Sequence, residues 1–279
     1  MKLFVEINNL DLFDYCEQMD NVGGVILSLL PLSLNDSPMD LDLFDKALNK
    51  KTHLKKIVNV ERIFKEDELM SAFEIVKKYH KLIDYVLLSD FGMLNLVKEL
   101  GIKTIYRAPT YLTNSFDINE YLMFFDFVVI SSEITNDELI RISNKLPNRT
   151  MVDLFGMNQI FYSRRPLITN YFKYKNIDLD PHYHGYQIME ETRDTKQFIL
   201  EDDYGTYVYE SGYYKLDTIP DLSFGIIHLP FLVNPSKKNV IEYYNSLLNG
   251  KEVPLNINTY GGAYNLEVGL LKGEVEGND

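Results

Sequence analysis

The chain has 279 residues, 46% of them apolar, so it can enclose a sizeable hydrophobic core. Its net charge of −13 repels naked nucleic acid over most of the surface, so any RNA contact requires a local basic patch or a partner protein. The single cysteine, Cys16, excludes an internal disulfide and a four-thiolate zinc or iron–sulfur site made by this chain alone.

Short aliphatic runs alternate with stretches of helical spacing from the first residue onwards. The predicted strands are Leu3–Ile7, Gly24–Leu29, Lys56–Val60, Tyr85–Ser89, Thr104–Arg107, Phe127–Ser131, Thr150–Phe155 and Phe224–Leu229. The predicted helices are Leu10–Met19, Leu41–Lys51, Glu66–Leu82, Met93–Leu100, Ile118–Phe125, Asn136–Leu146 and Lys237–Leu248. This alternation favours a (β/α)8 barrel in a single domain of residues 1–279. The barrel could also be incomplete or distorted. An open doubly wound sheet is the alternative.

Residues 183–214 depart from the alternation. Their period-two pattern, with Asp203-Tyr204-Gly205 at a turn, predicts an antiparallel β insertion before the last barrel unit. The segment is rich in tyrosine, which either forms a partner-binding face or covers the barrel mouth.

The chain is expected to be cytoplasmic and to have no membrane contact. Its start, MKLFVEINNL, lacks the basic and apolar regions of a secretory signal. The longest apolar stretch, Val25–Leu34, is interrupted by Pro31 and falls short of the roughly 18 residues that a membrane span needs. Cys16 lies in a predicted helix, which indicates a buried structural thiol.

Polar residues at the carboxyl ends of barrel strands face the site of a (β/α)8 protein. By that rule the candidates are Glu6, Asn8, Asn59, Asp90, Arg107, Glu133, Asp153 and His228. Strand ends are also polar simply because the chain leaves for solvent there, so each candidate keeps that alternative. His182 and His184 could ligate a metal, but no third ligand is near in sequence, which favours an ordinary loop pair.

The segment Ser163–Asn176 carries Arg164, Arg165, Lys173 and Lys175 and no acid, in a chain that is otherwise acidic. Arginine offers a bidentate fork to phosphate or carboxylate, and the interleaved aromatic residues could stack on bases. These aromatic residues are Tyr162, Tyr171, Phe172 and Tyr174. The alternative is a solvated helix face whose aromatic residues pack on the barrel.

Residues 151–172 resemble the signature of peptidase family U32, the collagenase-like proteins. In that family a strand ending in Gly is followed by a Tyr-Ser turn flanked by cysteines. Here the strand ends at Gly156, Tyr162 and Ser163 match the turn, and Gln159 and Pro166 occupy the two cysteine positions. Weaker similarities follow in order along the chain, at Asp90-Phe91-Gly92, at Thr113-Asn114 and at Glu133.

The resemblance implies a role in hydroxylation. Branches of the family bind a four-iron cluster through cysteines and support hydroxylation of tRNA or ribosomal RNA bases, or of quinone precursors. Short, cysteine-poor members resemble one half of a two-protein system that makes 5-hydroxyuridine in the tRNA wobble position. The resemblance therefore implies a subunit with no cofactor of its own, paired with a cysteine-bearing relative that carries the cluster, and contacting tRNA through the basic patch. The expected binding residues are Tyr162, Ser163, Arg164, Arg165, Asp90, Asn114, Glu133 and Arg107.

Two other functions stay open. The family name implies a collagenase-like peptidase, although neither His-Glu-x-x-His nor Gly-x-Ser-x-Gly occurs and the sequence assigns no catalytic residue. A non-enzymatic module that binds a protein through the tyrosine-rich hairpin is the third possibility.

Overall fold

The computed structural model describes residues 1–33, 38–108, 111–146, 148–182, 184–189, 196–210, 212–257 and 259–260. Parallel strands and helices alternate over its first part. The strands are β1 (Lys2–Ile7), β2 (Val22–Ser28), β3 (Lys55–Val60), β4 (Tyr85–Leu88), β5 (Lys103–Tyr106), β6 (Phe127–Ile130) and β7 (Thr150–Gly156). The helices are α1 (Leu10–Glu17), α2 (Leu41–Asn49), α3 (Glu66–Tyr79), α4 (Phe91–Glu99), α5 (Ser115–Tyr121) and α6 (Asn136–Ser143).

Side-chain caps set where several of these helices begin. The Asn9 and Asp40 side chains accept hydrogen bonds from backbone N–H groups in the first turns of α1 and α2. At α6, Thr135 and Glu138 form a reciprocal capping box. At these helices the strand therefore passes into its helix at a polar residue that satisfies otherwise unpaired donors.

An antiparallel sheet with its own helix is inserted after β7. Its strands are β8 (Gln159–Ser163), β9 (Gly185–Met189), β10 (Lys196–Asp202) and β11 (Gly205–Tyr209), in the spatial order β8-β11-β10-β9. Helix α7 (Leu167–Lys175) packs against β10 and β11. The predicted antiparallel β insertion before the last barrel unit is confirmed, but the sheet also includes β8, where a turn was predicted. The unit also contains α7, which the sequence offered only as the alternative for the basic segment. Within the predicted range 183–214, Tyr183, residues 190–195 and Ser211 lie outside the described residues.

The barrel closes after the insertion. Strand β12 (Tyr213–Lys215) runs antiparallel to β7. The eighth barrel strand, β13 (Phe224–Ile227), then pairs in parallel with both β7 and β1. Helix α8 (Asn234–Leu248) follows it, and β14 (Thr259–Tyr260) adds to β12. The (β/α)8 barrel is thus confirmed as a closed one, and neither the incomplete barrel nor the open sheet describes this chain.

One buried apolar side chain from each barrel strand fills the barrel interior. These residues are Phe4, Ile26, Ile57, Leu87, Ile105, Val129, Met151 and Ile226. A larger apolar cluster lies between the strands and the surrounding helices and contains Val5, Val25 and Val58. Because side chains alternate along a strand, the residue two positions after each interior residue also faces the barrel axis, closer to the carboxyl ends.

Candidate binding site at the barrel mouth

A polar layer lies directly above the apolar layer of the barrel. Two residues after each interior apolar residue, every barrel strand carries a polar one. These residues are Glu6, Ser28, Asn59, Ser89, Arg107, Ser131, Asp153 and His228. The switch from hydrocarbon to polar side chains at the same level in all eight strands places a polar site at the carboxyl end of the barrel, where (β/α)8 proteins bind their ligands.

Glu6 and His228 form the floor of this layer. His228 Nε2 lies 2.9 Å from Glu6 Oε2, and both side chains are almost completely buried. Ser28 Oγ donates to Glu6 Oε1 over 2.7 Å, and Asn59 Nδ2 donates to Ser28 Oγ over 3.2 Å. Burial alone raises the pKa of Glu6, but His228, Ser28 and Arg107 outweigh it and lower that pKa to about 2. Glu6 is therefore a carboxylate at neutral pH.

Arg107 is clamped between two carboxylates. Its Nε donates to both oxygens of Asp153 over 3.1 and 3.0 Å, and its Nη1 donates to both oxygens of Glu61 over 3.0 and 3.1 Å. Burial lowers the pKa of Arg107, but Asp153 and Glu61 together hold it well above the usual value. The guanidinium is thus fixed in one orientation by two bidentate partners.

A cavity of about 340 Å³ opens above Arg107. Its polar lining includes Glu61, Arg107, Asp153 and His228 from the barrel, and its walls are mostly aromatic and aliphatic. The segment that follows β7, from Met157 to Tyr162, lines one side of the cavity, so β8 of the inserted sheet forms part of its wall. The size and mixed lining are typical of a small-ligand site.

Tyr162 connects this cavity to the basic segment. Its ring stacks on Tyr207 at a centroid distance of 5.1 Å, and its hydroxyl donates to the Tyr204 carbonyl over 3.2 Å. Burial raises the pKa of Tyr162, while Arg62 and Arg164 lower it less. Ser163, the last residue of β8, accepts a hydrogen bond from the Arg165 backbone N–H over 3.1 Å, so it shapes the turn into α7.

Arg164 and Arg165 are exposed, and in the described part of the chain their side chains form neither an ion pair nor a hydrogen bond. Farther along α7, Lys175 Nζ lies 6.0 Å from the Tyr171 ring centroid and 5.3 Å from that of Tyr174. Both tyrosine rings are largely exposed. The predicted basic segment is therefore a solvent-facing surface on which Arg164 and Arg165 have no side-chain partner among the described residues and the Tyr171 and Tyr174 rings are exposed beside Lys175.

The N-terminus of α7 already holds a carboxylate. Buried Glu201, from β10, accepts hydrogen bonds from the backbone N–H groups of Ile168 and Thr169 over 2.7 and 3.1 Å. The hydroxyls of Thr169 and Thr206 also donate to it, over 2.5 and 2.9 Å. An external phosphate cannot use this helix terminus, so anion binding on this surface depends on the basic side chains alone.

Two predicted binding residues cap helices. Asp90 accepts from the backbone N–H groups of Gly92 and Met93 at the start of α4, and from that of Phe64. Asn114 accepts from Phe116 and Asp117 at the start of α5. The structure gives both side chains a local structural role and places neither in the lining of the mouth cavity.

Glu133 lies exposed beside the mouth, beyond the polar layer. Loss of surrounding water and the nearby Glu210 raise its pKa. Burial also raises the pKa of Glu210, whose carboxylate accepts from Asn158 Nδ2 over 2.9 Å. The two carboxyl groups therefore interact with each other beside the mouth, and neither lines the cavity.

Arg62 joins the barrel to the inserted sheet. Its guanidinium carbon lies 3.3 Å from the centroid of the Tyr204 ring, which sits in the β10–β11 turn. Arg62 is buried, donates to the Pro31 carbonyl over 2.6 Å and pairs with Glu68 over 2.8 Å. A desolvated cation against an aromatic face is a stabilising contact, so it holds the insertion near the barrel mouth.

No group of three or more metal-binding side chains occurs among the residues that the structure describes. His182 Nδ1 lies 2.7 Å from Asp180 Oδ1 in an ordinary turn. Cys16 is buried in α1, as predicted, and burial raises the pKa of its thiol to about 12. Within the described ranges, no helix combines the length and the apolar character that crossing a membrane requires.

Sequence reasoning missed part of the site. It identified Glu6, Asn59, Arg107, Asp153 and His228 but not Ser28, Ser89, Ser131 or Glu61. Counting two residues on from each interior apolar residue finds Ser28 and Ser89, and counting two on from Asn59 finds Glu61. The same count separates Ser89, which lines the cavity, from Asp90, which caps a helix.

Comparisons with known proteins identify the family of this chain. A family model described as peptidase family U32 matches residues 40–248. The chain is also similar to the tRNA hydroxylation protein P2 of Bacillus subtilis, with 30% identity over 84 residues. That similarity covers 29% of this chain and 27% of the relative, so most of each protein lies outside it.

A solved structure described as a sporulation-specific glycosylase from Bacillus subtilis is also similar. It has 9% identity and a TM-score of 0.27, with 88% of this chain and 86% of that chain covered. A likeness at this level supports no conclusion about function.

Proposed function

Because the chain belongs to peptidase family U32, we propose that it is a component of a tRNA uridine hydroxylation system. Its part is to bind RNA in the cytoplasm, in a hetero-oligomer with a cysteine-bearing relative whose iron–sulfur cluster carries the electrons. The local similarity to a tRNA hydroxylation protein supports the reaction class.

One observation of the structure carries the RNA-binding part of the proposal. Arg164 and Arg165 stand exposed with no side-chain partner among the described residues, on a surface whose helix ends in Lys173 and Lys175. Cations that are not neutralised within the protein are free to release counterions when they contact phosphates. Exposed Tyr171 and Tyr174 add faces on which unpaired bases can stack.

The division of labour rests on ligand count. A four-iron cluster needs about four thiolates, whereas this chain has one cysteine, and Cys16 is buried in a helix on the outer side of the barrel. The thiolates for such a cluster must therefore come from another chain. The residues of this chain bind and orient RNA beside that partner.

A deletion strain tests the proposal. The gene is removed from its host, and 5-hydroxyuridine in total tRNA is measured by mass spectrometry. We expect the modification to disappear and to return with the wild-type gene. Unchanged 5-hydroxyuridine in the deletion strain rejects the proposal.

Complementation with charge variants tests the assigned surface. Arg164→Ala/Arg165→Ala should restore markedly less 5-hydroxyuridine than the wild-type gene. Lys77→Ala/Lys78→Ala is the matched control, because it removes the same charge from exposed positions on α3. If both double variants restore 5-hydroxyuridine equally, the α7 surface is not the RNA-binding surface.

Two assays address the other candidate functions. Purified chain that cleaves gelatin or a collagen-like peptide without a partner would support the peptidase. A partner that co-purifies from the native host identifies the hetero-oligomer. If that partner holds no cluster-binding cysteines, the chain is a binding module of another kind.

A further inference from the structure

We propose that the mouth cavity is a nucleobase pocket, which takes the neutral, planar ring of a uridine rather than a small carboxylate or phosphate. This inference rests on the proposed function and deepens it by naming what the cavity binds. Four features of the cavity carry it: its walls, its charge, the unused donors of Arg107 and the backbone of Tyr111.

The walls suit a flat ring. The cavity of about 340 Å³ lies at the small end of the range for ligand sites, which is roughly 300–1,000 Å³. Its aromatic lining residues are Tyr106, Tyr111, Phe161, Tyr162, Tyr209 and Tyr214. A base enclosed by aromatic side chains gains stacking energy that does not depend on ionic strength.

The charge of the cavity disfavours an anion. Three carboxylates, those of Glu6, Glu61 and Asp153, face two basic groups, those of Arg107 and His228. Even with a protonated imidazole, three carboxylates outnumber two cations, so the floor is net negative. A carboxylate or phosphate entering the cavity would lose its hydration and be repelled by this net negative charge. A neutral base is not repelled in this way.

The hydrogen-bonding groups complement the edge of uracil, which presents an N–H between two carbonyls. Arg107 uses Nε and Nη1 for its carboxylate partners, and no described residue accepts from its Nη2. Nη2 can therefore donate to a base carbonyl. The oxygens of Glu61 or Asp153, whose side chains also line the cavity, can accept from the N–H beside it.

Tyr111 points to the stacking partner. It lines the cavity, its side chain is 73% exposed, and its backbone has φ of +88°, which L-residues with bulky side chains rarely adopt. The Tyr111 carbonyl accepts a hydrogen bond from the Thr113 N–H over 2.9 Å, which closes a tight turn directly after Tyr111. Such backbone strain is concentrated at ligand sites, and here it presents an aromatic ring at the cavity entrance.

Strand β8 connects the pocket to the proposed RNA surface. Gln159, Ile160, Phe161 and Tyr162 of this strand line the cavity, and Arg164 and Arg165 follow directly after it. A single-stranded RNA on α7 can therefore place one unstacked base in the mouth while its phosphates contact the arginines.

Two short RNAs isolate the pocket from the surface. The probes are a labelled seven-nucleotide RNA with one central uridine and the same RNA with an abasic central position, each titrated against the full chain. We expect the uridine RNA to bind about tenfold more tightly, since base–aromatic stacking contributes roughly 1–3 kcal/mol. Tyr111→Ala should abolish the difference, and Tyr111→Phe should keep it.

Controls separate the pocket from the surface and from the proposed function. Phe116→Ala removes an exposed aromatic residue outside the cavity and should keep the tenfold ratio. Arg164→Ala/Arg165→Ala should weaken both RNAs equally. The nucleobase pocket is rejected if the wild-type chain binds the two RNAs equally, or if millimolar succinate displaces the uridine RNA. Loss of 5-hydroxyuridine in the deletion strain would still support the proposed function in that case.

Discussion

The barrel mouth and the α7 surface use arginine in opposite ways. Arg107 is mostly buried and bound to two carboxylates through four short contacts, whereas Arg164 and Arg165 stand in solvent with no side-chain partner among the described residues. The first arginine is fixed in position and neutralised. The other two keep their charge available to a ligand.

The difference shows which charges hold the fold and which can serve affinity. A buried guanidinium removed from between two carboxylates leaves them without compensation, so it is coupled to stability. An exposed arginine contributes little to folding because water and salt screen it. Substitutions in the two regions should therefore move different observables, and the predictions below test that separation.

The largest effect is expected at Arg107. Arg107→Ala leaves the carboxylates of Glu61 and Asp153 without their cation. It should lower the free energy of unfolding by about 3–5 kcal/mol, measured by urea denaturation. The double variant Glu61→Gln/Asp153→Asn in the Arg107→Ala background should recover part of the loss, since it removes the uncompensated charges. An Arg107→Ala chain as stable as the wild type would contradict the clamp.

The next largest effect is the pH dependence due to Glu6. Its pKa is 4.5 in ordinary surroundings and about 2 in the folded chain, so folding favours the carboxylate. The stabilisation is complete above pH 4.5 and is lost as the pH falls towards 2, and its size is about 3 kcal/mol.

Glu6→Gln isolates this contribution. The difference in unfolding free energy between the wild type and Glu6→Gln should be largest near pH 6 and should shrink steadily down to pH 3. A difference that is constant over this range would mean that Glu6 does not carry the acid sensitivity.

The barrel and much of its mouth are predictable from the sequence because both depend on local patterns. All eight barrel strands were predicted to within two residues at each end, since each is a short apolar run with turn residues around it. Five of the eight residues of the polar layer were found from their position at strand ends. Ser28, Ser89 and Ser131 were missed because serine at a strand end does not stand out until the period-two register is known.

The inserted unit is less predictable because its stabilising contacts are distant in sequence. Strand β8 pairs with β11, whose Tyr207 lies opposite Tyr162. Helix α7 begins at Pro166 without a side-chain cap of its own, and its first N–H groups bond to Glu201 on β10. No local pattern near Leu167 marks this start, so a helix was offered only as the alternative for this segment.

Glu201 tests how far the α7 surface depends on that distant cap. Glu201→Ala leaves buried N–H groups of Ile168 and Thr169 without an acceptor and should cost roughly 1–3 kcal/mol. Hydrogen exchange should rise in residues 167–175 while the barrel strands stay protected. Glu201→Gln keeps an acceptor and should restore much of the protection. Equal exchange rates in the wild type and Glu201→Ala would show that α7 forms without this cap.

The smallest effect on stability, and the sharpest contrast with Arg107, is expected at Arg164 and Arg165. Arg164→Ala/Arg165→Ala should change the unfolding free energy by less than about 0.5 kcal/mol, because neither side chain has a partner to lose among the described residues. The same variant should weaken binding of a single-stranded RNA and reduce the slope of log K against log salt by about 1.4, since each lost phosphate contact accounts for roughly 0.7. If the double variant instead lowers stability and leaves the salt slope unchanged, these arginines stabilise the fold as Arg107 does, and the α7 surface does not bind RNA.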